Sequence, residues 1–130
     1  MAVVLDTWPV IRMLEGEQPV AARVADLLER ESPWMSWINL GEAYYSMRRQ
    51  RGAKAADEVL HMLTGSIQAE LPTPERVIEA ATLKSEYRMS YADAFAAATA
   101  IAHDAELWTG DPELLVPDAP WRWRDLRQAQ

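Results

Sequence analysis

The chain has 130 residues, about the length of one domain, is half apolar, carries a net charge of −7, and contains two histidines and no cysteine. That excludes a disulfide framework, a thiolate or histidine-rich zinc site, and binding of nucleic acid by bulk positive charge. No apolar run is long enough for a membrane span, and the N-terminus lacks a signal peptide's basic head, so a soluble cytoplasmic protein is expected.

Val3-Val4-Leu5 reads as a short, fully buried strand. Thr7 and Pro9 suit the start of a short helix that ends near Gly16. A second helix from about Pro19 sets Val20, Val24, Leu27 and Leu28 on one face, with Arg23, Asp26 and Arg30 opposite. After Pro33, Trp34-Met35-Ser36-Trp37 reads as a strand, followed by a helix over roughly Leu40 to Arg51 that Gly52 closes. A helix over about Ala55 to Leu63 and a weak strand over Ile67 to Leu71 come next. Thr73-Pro74 starts a helix to about Tyr87, and Ser90 starts another to His103, with Asp93 at capping-box spacing. Leu107-Trp108-Thr109 is a strand stopped by Gly110-Asp111-Pro112, and Trp121-Arg122-Trp123 a last edge strand. Short apolar strands separated by helices predict an α/β domain with a small, mainly parallel sheet.

Four acids stand out by context, because most of the others lie in polar runs or on polar helix faces. Asp6 directly follows a buried strand, where ligands collect in open α/β sheets, although a helix cap is an equally good reading. Glu42 sits within an apolar helical turn, and the solvent face is the usual place for such a residue. Asp93 is the one acid in an otherwise apolar helix, with Ala97 and Ala100 following on its face. A capping role is the plain alternative. Asp111 ends a strand, in a sequence that would also serve as a simple turn. If the four converge, each close pair costs about 4 kcal/mol at an effective dielectric near 20. A Mg²⁺ or Mn²⁺ ion, which prefers oxygen ligands, relieves that repulsion.

Leu5-Asp6-Thr7, Gly41-Glu42, "SYADAFAAATA" with Asp93 and "TGDPEL" with Asp111 occur in an order and spacing that resemble the PIN-domain nucleases. The likeness is greatest to the VapC-type toxins of type II toxin–antitoxin pairs. The resemblance covers nearly the whole chain. It implies a single PIN domain over 1–130, with a three-layer α/β/α fold whose small central sheet is flanked by helices. It further implies a metal-dependent endoribonuclease cutting structured RNA of the tRNA or rRNA class, leaving a 5′-phosphate and a 3′-hydroxyl. Asp6 and Asp93 would be direct ligands of Mg²⁺ or Mn²⁺, Glu42 and Asp111 would bind directly or through water, and Thr7 and Thr109 would support the ligands by hydrogen bonds. The chain departs from the family at Trp8, where many relatives carry a small polar residue. There an indole would crowd the ion or shape the substrate pocket.

Arg48, Arg49, Arg51 and Lys54 are the candidate RNA-binding cations, and a basic last helical turn that favours the dipole is the alternative. Arg122, Arg124 and Arg127, interleaved with Trp121 and Trp123, fit edge packing better than base stacking. The methionines are read as core fillers, and His61 and His103 as ordinary surface or helix-end residues. By resemblance the partners are RNA, a cognate antitoxin and a second copy in a homodimer. A groove lined by Trp8, Val10, Ile11, Leu14, Trp34 and Trp37 would suit the antitoxin. A catalytically inactive PIN-fold binding module is the first rival. A receiver-type phosphoacceptor is the second, and its late lysine has no counterpart here, where Lys54 and Lys84 both fall in predicted helices.

Overall fold

The computed structural model describes residues 2–127. Val3, Val4 and Leu5 form β1 (Val3–Leu5), and all three are buried because helices cover both faces of this central strand. The other strands are β2 (Trp34–Ser36), β3 (Gln68–Glu70), β4 (Glu106–Thr109) and β5 (Arg122–Asp125). Every pairing is parallel, in the order β3-β2-β1-β4-β5.

Side chains alternate across the sheet, so successive residues of β1 enter different cores. Val3 and Leu5 pack with Val10, Val24, Leu40 and Leu63, from α1 (Thr7–Leu14), α2 (Val20–Arg30), α3 (Trp37–Arg51) and α4 (Ala53–Thr64). Val4 packs on the other side with Ala80 and Leu83 of α5 (Pro74–Glu86) and the alanine-rich α6 (Tyr91–Ala102). The result is the expected three-layer α/β/α fold. Residues 93 to 100 of α6 are buried without a break, and Ala97 and Ala100 are among the small side chains by which this helix lies against β1, β2 and β4.

From β1 the chain builds β2 and β3 on one side, then crosses to place β4 on the other. β1 and β4 therefore flank the point where the winding reverses, and the crevice outside their carboxyl ends is where such sheets bind ligands.

Several local expectations change. The cap position of α1 is Asp6 rather than Thr7, and the Asp6 side chain makes no capping hydrogen bond. α3 begins at Trp37, directly after β2, because the Ser36 hydroxyl accepts the Ile38 N–H and starts the helix there. Trp37 is thus helical. α4 starts at Ala53, immediately after Gly52, whose φ of 91° makes the tight turn that glycine permits. Thr73 and Ser90 cap α5 and α6 as expected, accepting from Arg76 N–H and Asp93 N–H. The edge strand is Arg122–Asp125, so Trp121 precedes it and is buried, donating its indole N–H to the Leu114 carbonyl.

Three readings of individual side chains are corrected. Met62 is exposed, not core. His103 caps the end of α6 but is half-buried, stacked on Trp34 with ring centroids 4.0 Å apart and hydrogen-bonded to Glu70 at 2.6 Å. The six residues expected to line one antitoxin groove do not share a face. Val10 is core, and Trp34 packs on the opposite side of the sheet from Trp8, Ile11 and Leu14. No described helix is long and apolar enough to cross a membrane.

Candidate metal centre

Strand pairing brings the first and last of the four acids together. Leu5 is in register with Trp108 across β1 and β4, and Asp6 N–H extends the pairing by donating to the Trp108 carbonyl. Asp6 therefore leaves β1 beside the end of β4, next to Thr109. The buried Thr109 hydroxyl donates to Asp6 Oδ2 at 2.8 Å and accepts the Asp111 N–H at 3.0 Å. One threonine thus ties the Asp6 carboxylate to the Asp111 backbone. The turn after it is tied down by Glu113 N–H on Asp111 Oδ1.

Asp93 enters from the first turn of α6. One carboxylate oxygen each from Asp6, Asp93 and Asp111 lies within 4.8 Å of the other two. Asp6 is 1% exposed, its Oδ1 has no hydrogen-bond partner, and Asp93 is also buried. An unpaired carboxylate oxygen at such depth is costly in a folded protein unless a proton or a cation answers it. Three converging carboxylates, one with an orphaned oxygen, fit a hard divalent cation.

Electrostatics agree with the geometry. Burial pushes the Asp6 carboxyl up to about 7, with the Thr109 hydrogen bond opposing and the charges of Asp111 and Glu42 adding. Burial also pushes Asp93 up, to about 8, with further upward contributions from the charge of Asp6 and from Asp111, while Ser90 opposes. Without a cation, the buried acids hold protons that an isolated aspartate would have lost.

Glu42 lines the same cleft but stands outside the three-carboxylate set. It is half-buried on α3, and its Oε1 accepts a 2.6 Å hydrogen bond from Thr7, whose hydroxyl also lies 3.3 Å from the Asn39 carbonyl. Thr7 and Thr109 are accordingly hydrogen-bonded to Glu42 and Asp6. Arg48, Arg49, Arg51 and Lys54 are exposed at the far end of α3 and the start of α4, and none lines the cleft.

Sequence reasoning missed three features here. Asn39 is fully buried and donates Nδ2–H to the Ala92 carbonyl, tying α3 to the start of α6 beside Asp93; an amide in the apolar run Ile38-Asn39-Leu40 was a visible signal. Trp8 packs on Gly110, where a Cβ would fall 2.4 Å from the indole ring, so the residue before Asp111 is glycine for lack of room. Arg12 lines the cleft one turn along α1 from Trp8, a spacing the sequence displays. The cleft is an open pocket of about 310 Å³.

The family model of the PIN domain matches residues 3–119. No curated protein matches the sequence. Among solved structures, the chain is similar to that of VapBC-1 from nontypeable Haemophilus influenzae, with a TM-score of 0.76 and 19% identity over 98% of this chain and 100% of that one. It is also similar to VapBC2 from Rickettsia felis bound to a DNA fragment from their promoter (TM-score 0.75, 16% identity, 96% of this chain and 98% of that one). A third is Mycobacterium tuberculosis VapC20, a sarcin–ricin-loop-cleaving toxin (TM-score 0.72, 17% identity, 87% of this chain and 92% of that one). At these identities the likeness is one of fold.

Proposed function

The chain belongs to the PIN-domain family, and on that premise we propose that it is a metal-dependent endoribonuclease, the toxin of a toxin–antitoxin pair. The observation that carries the reading is the convergence of the Asp6, Asp93 and Asp111 carboxylates, with Asp6 keeping a buried oxygen that has no hydrogen-bond partner. Similarity in fold to a structure named as a toxin–antitoxin complex, from Klebsiella pneumoniae, and to the toxin VapC20 supports the toxin assignment and an antitoxin partner. A second copy of the chain completes the proposed assembly.

A Mg²⁺ or Mn²⁺ ion at this site would polarise a phosphate oxygen and lower the pKa of a bound water. Asp6, Asp93 and Asp111 would hold it, and Glu42, which lines the same cleft outside that set, would contact it only through water. Thr109 orients the Asp6 carboxylate through its hydroxyl and anchors the Asp111 backbone through the same oxygen, while Glu113 N–H holds Asp111 Oδ1. Thr7 holds Glu42 across the gap between α1 and α3, where a half-buried carboxylate can accept a proton from an attacking water. The substrate is RNA: water adds to phosphorus, the bond from phosphorus to the 3′-oxygen breaks, and that oxygen leaves as a 3′-hydroxyl opposite a 5′-phosphate.

Calorimetric titration of Mn²⁺ into the protein, freed of any partner, tests the site alongside Asp6→Asn and Asp93→Asn. Binding in the parent that both variants lose is expected, together with RNA cleavage that follows ion occupancy. A folded parent that binds no Mn²⁺ at millimolar concentration would refute the reading and leave a non-catalytic PIN-fold binding module.

A further inference from the structure

The proposed site has a charge problem. Its cleft is lined by five carboxylates, Asp6, Glu42, Asp93, Asp111 and Glu113, and among the described residues that line it Arg12 is the one cation. A single divalent ion offsets two of those charges, and the substrate of the proposed reaction is itself a polyanion.

Arg12 is built to answer this. Its guanidinium lies over the Trp8 ring, 4.8 Å from the centroid. Trp8 is half-buried and seated on the Gly110 backbone, so it is a rigid platform rather than a free surface ring. The guanidinium makes two long ion pairs, Nη1 to Glu15 at 3.5 Å and Nε to Glu17 at 3.4 Å. Such partly exposed pairs orient a side chain more than they hold it. The second terminal nitrogen, Nη2, has no partner among the described residues, and the side chain is 34% exposed. A planar cation held face-on by an indole, with donors to spare and set at the mouth of an acidic cleft, matches a phosphodiester.

We propose that Arg12, braced on Trp8, grips a backbone phosphate of the RNA as the strand enters the acidic cleft. This rests on the nuclease reading, and the test separates the two. Arg122 serves as the control: it lies at the amino end of β5, paired with Asp104, at the opposite end of the strands from the carboxyl ends that carry Asp6 and Asp111.

The probe is a fluorescein-labelled, mixed-sequence single-stranded RNA of about 20 nucleotides, and binding is read by anisotropy from about 50 to 300 mM KCl. Ca²⁺ is supplied, and the RNA is checked for integrity on a gel. Parent, Arg12→Gln, Arg12→Lys and Arg122→Gln are compared. The glutamine pair makes the same change in net charge, so it separates a local contact from a general one. Arg12→Gln is expected to bind about five- to tenfold more weakly, with the slope of log affinity against log salt shallower by about 0.7. Arg12→Lys, which keeps the charge without the fork, is expected to fall between, and Arg122→Gln to match the parent. Equal behaviour of the two glutamine variants overturns the proposal, as does a loss of affinity in Arg12→Gln at unchanged salt slope, which marks a packing effect. A parent that binds Mn²⁺ but no RNA also overturns it, with the acid site intact. A parent that binds neither removes the nuclease reading itself.

Discussion

Replacing Asp6 by asparagine is expected to stabilise the ion-free protein at about pH 8 while abolishing its response to Mn²⁺. The buried Asp6 carboxyl is raised from 3.8 to about 7. Between those values the unfolded chain has lost its proton and the folded chain has kept it. The folded state therefore binds more protons, and stability falls as pH rises through this window. About three pH units at 1.4 kcal/mol each give about 4 kcal/mol as the ceiling on the cost of ionising Asp6 without a cation. Asparagine retains an acceptor for the Thr109 hydroxyl, now 2.8 Å from Oδ2, and puts an N–H donor in place of the orphaned Oδ1. Neighbouring acids share the strain, so a gain of about 1–3 kcal/mol is expected, or roughly 3–12 °C in Tm. The assay is thermal unfolding followed by circular dichroism in EDTA at about pH 5 and pH 8, repeated with Mn²⁺. The parent should lose stability from the lower pH to the higher and regain it with Mn²⁺; the variant should lose less, since the buried Asp93 still titrates, and should not respond to Mn²⁺. A parent and variant with the same pH dependence in EDTA would refute the reasoning, since the buried charge would then cost nothing.

Gly110→Ala sets a Cβ 2.4 Å from the Trp8 ring, so it should destabilise by about 1–3 kcal/mol. Denaturant unfolding of the Trp8→Ala/Gly110→Ala double variant should show most of that cost relieved, and simple additivity would count against the contact. Thr109→Val removes the Asp6 donor and the Asp111 N–H acceptor together. It should weaken Mn²⁺ binding about 10- to 100-fold by calorimetry, whereas Thr109→Ser should stay near the parent. Ser90→Ala deletes the α6 cap on Asp93 N–H and should cost about 1 kcal/mol by urea titration. Thr7→Val frees Glu42 and should lower the cleavage rate with little change in Mn²⁺ affinity, a split that single-turnover kinetics with parallel calorimetry would resolve.

Much of this architecture follows from local pattern. Three consecutive apolar residues in β1 announce a strand covered on both faces, and Thr73-Pro74 and Ser90 mark helix starts by cap chemistry that acts within four residues. α6 is legible as a buried helix because its apolar character runs all the way round. Where the reading slipped, the deciding partner was distant or the competition too close to judge locally. Trp37 carries a strand former's side chain, but Ser36 captured the Ile38 amide first. His103 has nothing nearby in sequence to engage it, and its partners Glu70 and Trp34 come from β3 and β2.

The site divides in the same way. Strand-end position marks Asp6 and Asp111, and an otherwise apolar helix marks Asp93, as acids in unusual company, and that much belongs to the sequence. That they meet depends on the pairing of Leu5 with Trp108, which sets Asp6 beside Thr109 across more than a hundred residues of chain. That Glu42 stands apart from the cluster, that Arg12 faces into the cleft, and that Asp6 keeps an oxygen without a partner were decided by packing. Periodicity reports which face of an element is apolar, whereas register, burial depth and the choice of partner are settled only when the elements close on one another.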